Sequence, residues 1–113
     1  VSDAGLQRND IDLMDKMNKE NQLKIRNYVM VSLGIGNLDY FIKKGIYKTD
    51  RLNVRSFKLY ADGALGSRGA CLLKPYSDEP AKTGFLLLSA KELERSLTQI
   101  YNSGFQANTH CIG

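Results

Sequence analysis

Residues 57–62, Phe-Lys-Leu-Tyr-Ala-Asp, decide the fold. Side chains alternate across a strand with a period of two. Phe57, Leu59 and Ala61 therefore fall on one face, and Lys58, Tyr60 and Asp62 on the other. Residues 105–112, Phe-Gln-Ala-Asn-Thr-His-Cys-Ile, repeat the arrangement, with Phe105, Ala107, Thr109 and Cys111 opposing Gln106, Asn108, His110 and Ile112. A parallel strand covered by helices on both sides is apolar on both faces. One apolar face and one polar, ionisable face instead fit a barrel, with helices outside and an active site at the C-terminal strand ends. Lys58 and His110 stand toward the C-terminal halves of their strands, on the inner face.

The flanking segments supply the helices. Residues 9–22 read as a helix capped by Asn9, with Ile11, Met14 and Met17 along one stripe. Residues 24–33, rich in Val, Tyr and Ile, read as a strand. Asn37 caps a short helix over Leu38 to Lys44 that Gly45 closes. A second strand is expected over Val54 to Ala61, then a long loop from Asp62 to Leu88 that carries both prolines. Ser89 and Glu92 form a capping box. The helix they start buries Leu93, Leu97, Ile100 and Tyr101 and ends at Gly104, before a last strand over Phe105 to Ile112. Strands alternating with helices predict βαβ units and a parallel sheet in one partial α/β domain over 1–113.

Composition excludes several classes. The 113 residues are 42% hydrophobic and 25% charged, as in ordinary globular domains. The net charge of +4 is spread along the chain, with eight basic and seven acidic residues through position 50 and eight and five after it. No three basic residues adjoin, so no nucleic-acid face is predicted. Apolar runs such as Phe85 to Leu88 are too short to span a bilayer. Cys71 and Cys111 read as two reduced core thiols rather than a disulfide framework. With His110 as the one histidine, these residues alone build neither a multi-ligand zinc site nor HExxH. There is no initiator Met or signal peptide, and the chain stops inside a strand reading. It is therefore expected to be an internal piece of something larger, with sheet edges open to self-association.

From the residues alone, each candidate keeps two readings. Lys58 inside a barrel can be carboxylated into a metal-bridging carbamate, or it can snorkel to water or pair with Asp62. His110 can be a metal ligand or a hydrogen-bonded core histidine. The glycine-rich stretch Ala61 to Ala70 shapes a pocket or cradles an anion, but it lacks G-x-G-x-x-G and G-K-[ST] and does not open a helix. Arg68 within it can meet a substrate carboxylate or make an ordinary loop salt bridge.

Taken together, FKLYADGALGSRGACLLKPYSDEP from Phe57, TGFLLLSAKELE and GFQANTHCIG resemble the amidohydrolase superfamily. The branch is amidohydrolase family 3, which includes enzymes similar to N-substituted formamide deformylase. The likeness covers most of Phe57 to Gly113 and extends loosely to Val1 to Gly5, which looks like the end of an earlier barrel strand. It implies a metal-dependent (β/α)₈ barrel hydrolase acting on C–N bonds of small-molecule, non-peptide amides. Divalent metal, often zinc, there polarises the carbonyl and activates a bound water. By position, Lys58 matches the lysine of the fourth barrel strand, carboxylated in many relatives, and His110 the ligand histidine of the fifth. Asp62 and Arg68 match recurrent positions to which the resemblance assigns a substrate-pocket role.

The family's first-strand His-x-His pair, sixth-strand histidine and eighth-strand aspartate have no counterpart here. Such a barrel takes about 250 residues, of which this chain supplies roughly strands two to five. The isolated chain is therefore expected to hydrolyse nothing and to retain no metal. The alternative from another class is a non-catalytic small-molecule module gripping an anion with loop 62–70.

Overall fold

The computed structural model describes all 113 residues. In chain order they form β1 (Ser2–Leu6), α1 (Arg8–Lys19), β2 (Asn27–Ser32), α2 (Asn37–Lys44), β3 (Tyr47–Lys48), β4 (Leu52–Tyr60), α3 (Ala90–Asn102) and β5 (Gln106–His110). The sheet order is β1-β2-β4-β3, with β5 also pairing β4. β1 with β2 and β2 with β4 are parallel, so α1 and α2 are the crossovers that parallel neighbours require. The all-parallel expectation needs one correction. Tyr47 and Lys48 run antiparallel against Val54 and Asn53, a two-residue strand too short to leave a periodic signature.

Two compact units emerge: Val1–Leu59 with Thr98–Asn108, and Tyr60–Leu97 with Thr109–Gly113. The first holds the main core, where Ile11, Val29, Val31, Phe41, Leu52, Val54, Phe57, Leu59 and Ile100 are buried. Val29 pairs with Val54 and Val31 with Phe57, although the second interval is one residue longer on β4. Arg55 is the extra residue, and the bulge it makes reverses the strand's alternation. Upstream the even positions Leu52 and Val54 are buried. Downstream the odd positions Phe57 and Leu59 are, which leaves Lys58 half-buried on the opposite face, paired with Ser32. The face assignment made for residues 57–60 therefore holds. Phe57 and Phe105 meet on the apolar side, ring centroids 5.1 Å apart.

Element ends differ from expectation where side chains compete for the backbone. Asn9 lies inside α1 instead of capping it; the Gln7 N–H at the cap donates to the Asp10 carboxylate at 2.9 Å. The helix stops at Lys19, and Asn21 takes a left-handed φ of 59°. Asn37 is likewise helical, its amide donating to Gln7 Oε1 and the Ser32 carbonyl. Lys24 to Arg26 do not join β2. Tyr47 donates to Asp15, which also pairs with Lys19 at 2.7 Å, tying β3 to α1. The Ser89–Glu92 capping box is present, but Tyr101 is exposed and only Ile100 of the expected stripe is fully buried.

The second unit is largely a loop folded on itself, together with the start of α3 and the end of β5. Gly63 and Gly69 touch backbone to backbone, so a Cβ on Gly63 would lie 2.9 Å from the Gly69 Cα. The Gly63 N–H donates to the Gly69 carbonyl, and the buried Tyr76 hydroxyl donates to the Ala70 carbonyl at 3.0 Å. Both cysteines are free, as expected, but neither is a core thiol: Cys111 is exposed and Cys71 partly so. The Cys71 backbone lies close against Gly84 and Gly113.

Candidate functional site

His110 ends β5, and four consecutive residues grip it. The Tyr60 ring lies 5.5 Å from the imidazole, centroid to centroid. The Ala61 N–H donates to the His110 carbonyl at 2.9 Å. Asp62 accepts from the two peptides that follow His110's neighbour, Ile112 at 3.0 Å and Gly113 at 2.7 Å. The Gly63 carbonyl stands 3.3 Å from His110 Nε2. A carbonyl oxygen only accepts, so this last contact is a hydrogen bond with the proton on Nε2. That tautomer leaves the lone pair on Nδ1, the nitrogen able to ligate a cation.

Asp62 is almost fully buried, and peptide N–H groups are what chiefly keep it ionised. The Cys71 N–H at 2.9 Å, with those of Ile112 and Gly113, holds its carboxyl below the usual carboxylate range. Three N–H donors converging on one carboxylate stabilise the charged form much as a cation would. Arg68 sits in the same loop with a left-handed φ of 58°. Its guanidinium donates to Asp78 at 2.7 Å, and its Nε lies 2.9 Å from a Glu79 oxygen without a hydrogen bond's alignment. Lys82 shares Glu79 at 2.8 Å.

The four sequence candidates thus divide. Asp62 and His110 come together at the end of β5. Arg68 is engaged with the acidic pair further along the loop. Lys58 belongs to the first unit, half-buried on the polar face of β4. Sequence reasoning did not single out Tyr60 or Gly63 as neighbours of His110. Tyr60's place on the Lys58 face was the available signal. The glycine-rich loop turns its amides inward: those of Gly63, Arg68, Gly69 and Ala70 donate to carbonyls of the loop itself, and that of Cys71 to Asp62.

No three His, Cys, Asp or Glu side chains gather here to hold a metal. Asp62 has both oxygens committed to peptide N–H groups. His110 fits as one nitrogen donor of a metal centre. A whole centre is not built from these residues.

Two solved structures match the whole chain in fold. Both are uncharacterised metal-dependent hydrolases. One is from Pyrococcus horikoshii OT3, with TM-score 0.91, 30% identity and 23% of its chain covered. The other is from Pyrococcus furiosus, with TM-score 0.90, 26% identity and 24% covered. Residues 2–113 match the family described as "Amidohydrolase family", and the chain belongs to it. It is 36% identical over 58 residues to the putative amidohydrolase YtcJ of Bacillus subtilis (strain 168), covering 51% of this chain and 11% of that protein. It is 30% identical over 76 residues to the protein LONG AFTER FAR-RED 3 of Arabidopsis thaliana, covering 67% of this chain and 13% of that protein. The chain therefore spans less than a quarter of any of these relatives.

Proposed function

We propose that these residues form part of the (β/α)₈ barrel of a metal-dependent amidohydrolase that cleaves C–N bonds of non-peptide amides. Lys58, carboxylated, and His110, through Nδ1, are two ligands of its metal centre, with the remaining donors outside these residues. The metal is divalent, zinc by preference for such a nitrogen and oxygen donor set. When bound, it supplies Lewis acidity toward the amide carbonyl and an activated water.

The chain's own residues prepare that site. The Gly63 carbonyl keeps the His110 proton on Nε2, and the Tyr60 ring fixes the imidazole plane. Asp62 and Arg68 shape the loop that borders the substrate, Asp62 through peptide N–H groups and Arg68 through Asp78 and Glu79. The observation that carries this reading is the family match over residues 2–113, joined to a strand-end histidine whose Nε2 faces the Gly63 carbonyl.

The test is hydrolysis of a panel of N-substituted formamides and other small amides by the full-length protein. Turnover that a chelator abolishes, zinc restores, and Lys58→Ala or His110→Asn removes is expected. Chelator-resistant turnover, or full activity in either variant, contradicts the reading. The 113 residues alone are expected to turn over none of the panel.

A further inference from the structure

We propose that Asp62 is a positioning residue for His110, holding the chain beyond β5 so that the imidazole keeps one tautomer and one orientation. The inference rests on His110 being a ligand in the proposed hydrolase, but its geometry stands independently. Residues 60–63 each hold a different part of His110 or its exit, and Asp62 alone reaches past it. Its Oδ1 accepts from Ile112, while Oδ2 accepts from both Gly113 and Cys71. One carboxylate therefore ties the end of the glycine-rich loop to the exit of the histidine strand. Gly113 lies so close against the Cys71 backbone that a side chain there would collide with it. With the exit fixed, the Gly63 carbonyl and the His110 ring are held at hydrogen-bonding distance.

The requirement is specific to a carboxylate. Two oxygens can accept three donors, whereas an asparagine must turn its NH₂ toward at least one peptide N–H. A carboxylate that merely closed the loop would leave the imidazole indifferent to that change; a positioning residue would not.

His110 is the chain's one histidine, so its imidazole nitrogens are read without ambiguity by long-range proton–nitrogen correlation on labelled, metal-free chain. The measurement is made at a pH where the ring is neutral. In the wild type a single tautomer with the proton on Nε2 is expected. In Asp62→Asn the expected result is a mixture of tautomers, with exchange of the Ile112 and Gly113 amides faster by about tenfold or more. A variant whose two amides exchange faster while its imidazole matches the wild type overturns the proposal. So does a variant with both readouts unchanged. In the wild type a proton on Nδ1, or averaging between nitrogens, overturns the proposal. If Asp62→Asn loses the core signals of Val29 and Phe57, the same two readouts are taken on Asp62→Glu, where a mixture of tautomers supports the proposal and an imidazole matching the wild type overturns it. No metal or substrate enters this measurement, so failure of the hydrolase reading shows only in the activity assay and failure of the positioning role only here.

Discussion

Val54 and Phe57, three residues apart on β4, are buried on the same face of one strand. A two-residue period forbids this unless a residue is inserted, and Arg55 is that residue. The bulge turns Lys58 away from the core. Deleting Arg55 would force either Leu52 and Val54 or Phe57 and Leu59 off the buried face, so loss of the cooperative unfolding transition is expected. Arg55→Ala keeps the backbone count at an exposed position and should shift stability by no more than about 0.5 kcal/mol. Urea unfolding of both variants followed by circular dichroism checks the contrast.

Much of this strand was legible in the sequence. The run from Phe57 to Tyr60 gave the correct faces because its own alternation is regular, and Ser89 with Glu92 announced α3 because a capping box is local. β3 was not legible, since two residues carry no period. The work done by Asp62 was hidden for a different reason: two of its three partners are peptide N–H groups some fifty residues away, and backbone donors carry no side-chain signature. Tyr101 shows the opposite failure, an apolar position at helical spacing that the structure leaves in solvent.

Phe57 is fully buried and packs on the Phe105 ring. Phe57→Ala removes most of a large side chain from a core that can close over the space only in part. A loss of about 3–5 kcal/mol is expected, read as a lower urea midpoint with unchanged slope.

Gly84 has a φ of 77°, and a Cβ there would run into the Ala70 carbonyl. Both the left-handed backbone and the close approach demand glycine. Gly84→Ala should cost more than about 1 kcal/mol and loosen the second unit first. Faster amide exchange at Leu72 and Cys71, before any change at Val29 or Val31, is the expected pattern.

The Ser89 hydroxyl, with the Ser89 N–H, holds the Glu92 carboxyl below its ordinary value. A depressed folded-state pKa contributes stability above the unfolded value, about 4.3 for Glu, and that contribution is lost as pH falls through the lower folded value. Protection of the first-turn amides of α3 should therefore persist to a pH below 4.3, the ordinary Glu value, and then fade. Ser89→Ala should return the Glu92 midpoint, followed by carbon-detected NMR, toward that ordinary value.

The central claim is that Lys58 and His110 are two ligands of one metal centre that these residues do not complete. It is tested most directly by metal content per polypeptide, measured by plasma mass spectrometry. The samples are the full-length protein, its Lys58→Ala and His110→Asn variants, and the 113-residue chain. The account predicts stoichiometric divalent metal in the wild type, a marked loss in each variant, and substoichiometric metal in the chain alone. Full metal retention in both variants, or stoichiometric metal in the isolated chain, would contradict it.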